Sequence, residues 1–262
     1  MSRHARIQSG TSIYHTMLRG VNRQEIFLND DDRLKFIQIL TQQLSPKDEL
    51  GFPLPARCVI YAYCLMPNHV HLLIRESSEM ISETMKRIAQ TYAQYFNWKH
   101  QRIGHLFQER FRSEPVNDME YFVTLIRYIH QNPIAGGLTK TVADYIWSSW
   151  HEYISQPSIC PKICNTSHVY KRISLEDLIE LVNEPMAKAL KILDIDTVGK
   201  RTDDEVRDFL SYSFPQLSLS NLMDLGRSQQ EQLISMALEY GAGLRQIVRI
   251  TGIPYGIVRT IK

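Results

Sequence analysis

The sequence predicts an α+β domain followed by an all-α one. Three observations predict it. Apolar runs up to residue 132 alternate between strand-like and helix-like spacing in the order strand, helix, strand, strand, helix. The tight-turn residues Met66-Pro67-Asn68 join two of those strands, so that pair is antiparallel. After Ser174 every apolar pattern is helical.

Ser12 to Leu18 reads as the first strand, rich in β-branched and aromatic residues and closed by Arg19-Gly20. Asn29-Asp30-Asp31-Asp32 reads as a helix start, because short acidic side chains cap an N-terminus and complement its dipole. Leu34, Ile37, Leu40 and Leu44 continue that helix. Arg57 to Leu65 and His69 to Ile74 form the hairpin. A second helix runs from Ser77 to Lys99. Residues 102–115 are irregular and basic, and Val116 starts a short strand. Asp118 opens a third helix, halted by Asn132-Pro133.

Residues 1–155 form the expected first domain. Gln156-Pro157-Ser158 opens an expected linker over 156–173, and 174–262 is the helical domain. Within it, Ser174 to Asp177 and Thr202 to Glu205 carry capping-box spacing. Ser228 to Tyr240 followed by 244–262 has helix-turn-helix spacing, with Arg245, Tyr255, Arg259 and Lys262 as candidate DNA contacts.

The formal net charge of +2 permits a nucleic-acid partner without demanding one. The N-terminus is polar, and no apolar run reaches the ~18 residues of a membrane span, so a cytoplasmic protein with no membrane partner is expected. Four cysteines are too few for a disulfide framework. Cys160, Cys164 and His168 are spaced by four but lack a fourth zinc ligand.

His69 and His71 carry the chemistry. Side chains at i and i+2 of a strand share a face, so two imidazoles there can grip one metal ion. The plainer reading is a pair of half-exposed polar residues. Tyr128 and Asn132 share a helical face. An amide oxygen can join a metal, and a phenol beside that metal can attack a phosphodiester. Tyr121 and Tyr145 are rivals to Tyr128 on the sequence alone. Lys99 to Arg112 interleaves cations with aromatics, the pattern that follows phosphates and stacks unpaired bases. Its candidates are Lys99, Arg102, Arg110 and Arg112; Arg19 and Arg23 join them from the end of the first strand.

Met66 to Leu73 resembles the histidine–hydrophobic–histidine signature of the HUH single-strand transposases. Arg127-Tyr128-Ile129-His130-Gln131-Asn132-Pro133 looks like their second signature, a tyrosine helix ending in Asn-Pro. Phe107 to Phe111 and Trp147-Ser148-Ser149 are also similar to this group. The chain most resembles the REP-associated tyrosine transposases within the Y1 family, over residues 10–153. The resemblance implies a ferredoxin- or RRM-like fold, an antiparallel sheet with helices on one face. It implies a metal-dependent enzyme that cleaves and rejoins single-stranded DNA, at hairpin-containing repeats, through a 5′-phosphotyrosine. His69, His71 and Asn132 would hold Mg²⁺ or Mn²⁺, and Tyr128 would be the nucleophile. A monomer and a homodimer both remain open. So does a DNA-binding regulator whose transposase domain no longer cleaves. A histidine-triad nucleotide hydrolase needs a third histidine where Leu73 stands.

Overall fold

A computed structural model describes residues 7–184, 203–214, 226–240 and 242–261. The chain divides into two units, Met1–Leu193 and Asp194–Lys262.

The first unit is built on β1 (Ile13–Arg19), β2 (Cys58–Met66), β3 (His69–Glu76) and β4 (Arg112–Pro115). Their order is β2-β3-β1-β4, and all neighbours are antiparallel. Pro67 and Asn68 make the two-residue link between β2 and β3. The fourth strand does not start at Val116 but precedes it, over Arg112–Pro115. Arg112 to Pro115 pair with Met17 to Tyr14, and the Val116 amide closes this ladder on the Ile13 carbonyl at 2.9 Å.

Successive side chains of β1 face opposite layers. The Thr16 hydroxyl lies 3.6 Å from the sulfur of Met85, on α2 (Ile81–Lys99). Its neighbour His15 lies against Tyr128, on α3 (Met119–Ala135). Helices therefore cover both faces of the sheet, with α2 and α1 (Asp30–Leu44) on one side and α3 on the other. The α+β class is the expected one; the helices, expected on one face, lie on both. The physical reason is in the strands: β2 and the first six residues of β3 are almost wholly buried, and a sheet apolar on both faces needs a layer on each.

Asn29 caps α1 with Asp32 in the reciprocal capping box that the acidic run predicted. Asp118 caps α3, accepting from the Tyr121 amide at 2.7 Å. This third helix does not stop at Asn132. Pro133 removes only one amide donor in the last turn, and the Gly136 amide still reaches the Asn132 carbonyl at 2.8 Å.

Trp147-Ser148-Ser149 lies along the outer edge of β2. The Leu65 amide donates to the Trp147 carbonyl at 2.9 Å, and the Ser149 amide to the Tyr63 carbonyl at 3.0 Å. An open edge is thereby covered. The short α4 (Trp150–Tyr153) follows.

The expected linker is not a linker. Residues 156–184 pack onto the first unit through α5 (Thr166–Tyr170) and α6 (Leu175–Asn183). The Asn165 amide donates to the Ile60 carbonyl at 2.8 Å, and the Tyr170 hydroxyl donates to the Tyr153 carbonyl. Cys160, Ile163, Val169, Leu178 and Val182 join the first core. Polar residues at the surface hid these scattered apolar ones from a composition-based boundary.

The second unit comprises α7 (Asp203–Ser213), α8 (Arg227–Tyr240), α9 (Leu244–Thr251) and α10 (Tyr255–Thr260). Val206, Leu210, Leu233, Ile234, Ile247 and Val258 form its core. Gly252 ends α9 at φ 72°, a left-handed conformation that a Cβ would strain. Residues 252–254 connect α9 to α10, and α10 spans only Tyr255–Thr260. Thr202 and Lys262 lie outside the described residues.

Candidate active site

His69 and His71 occupy the α3-facing side of β3, opposite Arg19 and Met17 of β1. Their rings lie 5.0 Å apart at right angles, and both are buried. Tyr128, half-buried on α3, places its ring 5.5 Å from that of His71. The strand period and the helix on this face bring these three side chains together.

Asn68 fixes how His69 is presented. The Asn68 nitrogen donates to the Arg23 carbonyl at 3.2 Å, which turns its amide oxygen to Nδ1 of His69 at 2.6 Å. An amide oxygen only accepts, so Nδ1 carries the proton and Nε2 the lone pair. Nδ1 of His71 lies 2.9 Å from Nε2 of His15, a residue with no solvent exposure. The His15 and His71 rings stack at 5.1 Å, and His15 also meets Tyr128 edge-on at 5.8 Å.

Sequence reasoning missed His15. Its alternation with Ile13, Met17 and Arg19 places it on one face of β1. What the alternation lacks is the identity of the neighbouring strand.

Asn132 is buried one turn beyond Tyr128. Its side-chain nitrogen donates to the Tyr128 carbonyl at 3.0 Å, which keeps its oxygen as the acceptor end. Among the described residues, no three His, Cys, Asp or Glu side chains are arranged to hold a metal. A metal here would rest on two imidazoles and neutral or substrate oxygens. That donor set, with the His69 lone pair already aimed by Asn68, fits Mn²⁺ or Mg²⁺. Cys160, Cys164 and His168 form no such group either.

The rival tyrosines are occupied elsewhere. Tyr145 is buried and donates to the Leu65 carbonyl at 2.7 Å. Tyr121 sits beside Glu114. Burial raises both phenols above the usual tyrosine range, assisted at Tyr121 by the Glu114 carboxylate.

The basic residues divide. Arg19, paired with His69 across β1 and β3, and Arg112, paired with Met17 from β4, line one depression with Met17, Gln108, Glu109 and Phe111. Arg112 is also within 3.7 Å of Glu109. Arg110 is exposed and lines a groove of about 600 Å³ with Lys86, Gln90, His105 and Phe107. Arg23 is exposed and gives its carbonyl to Asn68. Lys99 and Arg102 are committed to the fold. The Lys99 ammonium lies 2.9 Å from the buried carboxylate of Asp32, which His100 also approaches at 3.0 Å and to which the Leu28 amide donates at 2.9 Å. Arg102 donates to Gln24 at 2.8 Å and covers Phe96. A buried carboxylate at the α1 N-terminus thus engages Lys99, and Gln24 engages Arg102.

In the second unit Arg245, Tyr255 and Arg259 are all exposed. Arg249, by contrast, clasps Asp203 with two bonds of 2.6 Å.

Residues 9–132 match the family model described as "Transposase IS200 like". A Haemophilus influenzae protein assigned as a REP-associated tyrosine transposase is 29% identical over 102 residues, 34% of this chain and 57% of that protein. The chain thus spans little more than half the length of this curated relative. A solved structure of a REP-associated tyrosine transposase bound to a REP hairpin superposes with a TM-score of 0.46 and 16% identity, covering 71% of this chain and 99% of that one.

Proposed function

We propose that the chain, whose residues 9–132 match the IS200-like transposase model, cleaves and rejoins single-stranded DNA through Tyr128. The observation that carries this reading is the Tyr128 ring 5.5 Å from His71, on the face where His69 and His71 stand together. His69, His71 and the oxygen of Asn132 would hold the divalent metal. Bound there, Mg²⁺ or Mn²⁺ supplies positive charge to the phosphate and its leaving oxygen.

The protein's own residues do the rest. The hydroxyl oxygen of Tyr128 attacks the phosphorus, and the bond from phosphorus to the 3′ oxygen breaks. The phenol loses its proton, and the departing 3′ oxygen gains one. The 5′ end is left esterified to Tyr128. One phosphate ester replaces another, so a 3′-hydroxyl can later reverse the step and join a different end. Arg19 on β1 and Arg112 on β4, which line one depression, would hold the neighbouring phosphates.

The substrate we propose is hairpin-containing repeat DNA, the class that the resemblance of the two signatures implies; the H. influenzae relative is named as REP-associated. The exposed Arg245, Tyr255 and Arg259 around the α9–α10 turn support a second DNA contact.

The test is incubation with end-labelled single-stranded hairpins from the flanks of the gene, with and without Mn²⁺, followed by a denaturing gel. A metal-dependent covalent adduct is expected, absent in Tyr128→Phe while DNA binding persists. An equal adduct yield in that variant overturns the assignment. Tight binding without any adduct in the parent favours a non-cleaving regulator.

A further inference from the structure

We propose that His15 is a positioning residue that sets the tautomer of His71 and so presents its Nε2 to the metal. The inference rests on the reading of His69 and His71 as ligands, and it concerns a residue outside that set.

The two histidines of β3 are served in parallel. His69 has its Nδ1 on the oxygen of Asn68, which leaves the lone pair on Nε2. His71 has its Nδ1 on Nε2 of His15, at the same kind of distance. Asn68 can play one role only, because its own nitrogen is committed to the Arg23 carbonyl. An imidazole can play either role, so the His15–His71 bond admits two tautomer arrangements. Only one lets His71 act like His69: Nδ1 of His71 donates, and Nε2 of His15 accepts. A ligating imidazole commonly holds its ring this way, through the nitrogen that does not touch the metal.

The geometry argues for an orienting role over direct ligation. His15 projects from β1 opposite Leu73, two pairs along the strand from the Met17–His71 pair and on the same face. It does not complete a three-residue metal group with His69 and His71. Its ring stacks on His71 at 5.1 Å and meets Tyr128 edge-on at 5.8 Å. One buried side chain thus fixes the His71 ring plane and walls the space beside the phenol. A purely apolar residue would fill that space but could not accept the Nδ1 proton.

Two readouts test this. The first is the ¹⁵N chemical shifts of the His71 ring in the metal-free parent, which distinguish Nδ1–H from Nε2–H. Nδ1–H is expected; Nε2–H overturns the proposal. The second is Mn²⁺ affinity by calorimetry. His15→Phe keeps the volume and removes the acceptor, so a loss of about 10- to 100-fold is expected. His15→Gln supplies an amide oxygen and is expected to recover most of it. A folded His15→Phe protein that binds Mn²⁺ within about twofold of the parent overturns the proposal. Should His15→Phe fail to fold, the His15→Gln affinity and the parent tautomer decide. A parent that binds no Mn²⁺ defeats the metal reading of the site instead, and the tautomer of His71 still reports on His15.

Discussion

Nε2 of His130 lies 2.8 Å from the hydroxyl of Ser149, while its Nδ1 donates to the Ile126 carbonyl at 2.8 Å. Ser149 in turn accepts from the Tyr63 amide at 2.9 Å. This chain of bonds ties α3 to β2 two residues beyond Tyr128. Burial favours the neutral imidazole; with its proton on Nδ1, Nε2 accepts from the Ser149 hydroxyl, which also lies 3.2 Å from the Tyr63 carbonyl.

Burial holds the His130 pKa down, from 6.5 to about 4. The folded protein therefore binds this proton less readily than the unfolded chain. The stability it contributes is complete above pH 6.5 and is lost as pH falls from 6.5 to about 4. The full effect is on the order of 3 kcal/mol. Thermal melts across that range should show a falling Tm, with a shallower fall for His130→Gln. An identical slope in the variant would remove His130 as the cause.

Asn68 is expected to matter to metal binding without touching the metal. Asn68→Ala frees the His69 ring to rotate and to change tautomer, so Mn²⁺ affinity should fall by about tenfold. Titration calorimetry reads this directly. Unchanged affinity would show that β3 alone orients His69.

Lys99 and Arg110 should separate cleanly, although both lie in one basic stretch. Lys99→Ala leaves the buried Asp32 carboxylate short of a partner, at a cost of about 1–3 kcal/mol. The affinity for single-stranded DNA and its salt dependence should not change. Arg110→Ala should leave the melting curve in place, weaken DNA binding, and reduce the salt slope by about one. Urea melts and salt-dependent binding curves check the pair.

Arg245→Ala combined with Arg259→Ala should weaken DNA binding and lower the salt slope by about two, while the adduct yield at saturating DNA stays the same. Binding measured at several salt concentrations decides it. A full-strength complex in the double variant would place no DNA on the α9–α10 turn.

Local periodicity was enough for much of this. The strand repeat puts His69 and His71 on one face, and the helical repeat puts Tyr128 and Asn132 on another. Asn29, Asp118 and Ser174 cap their helices as their side-chain chemistry requires. The tight turn at Pro67-Asn68 sets the hairpin. These features depend on residues close in sequence, so the sequence alone determines them.

The remainder depends on which elements become neighbours. The order β2-β3-β1-β4 brings His15 onto His71, although 56 positions separate them. The packing of α2 on α1 commits Lys99 to Asp32. Residues 156–184 dock because scattered apolar side chains find the edge of β2 and the flank of α3. No local pattern encodes such pairings. They follow from burying the whole apolar surface at once while giving each buried donor and acceptor a partner, and only the tertiary structure settles that balance.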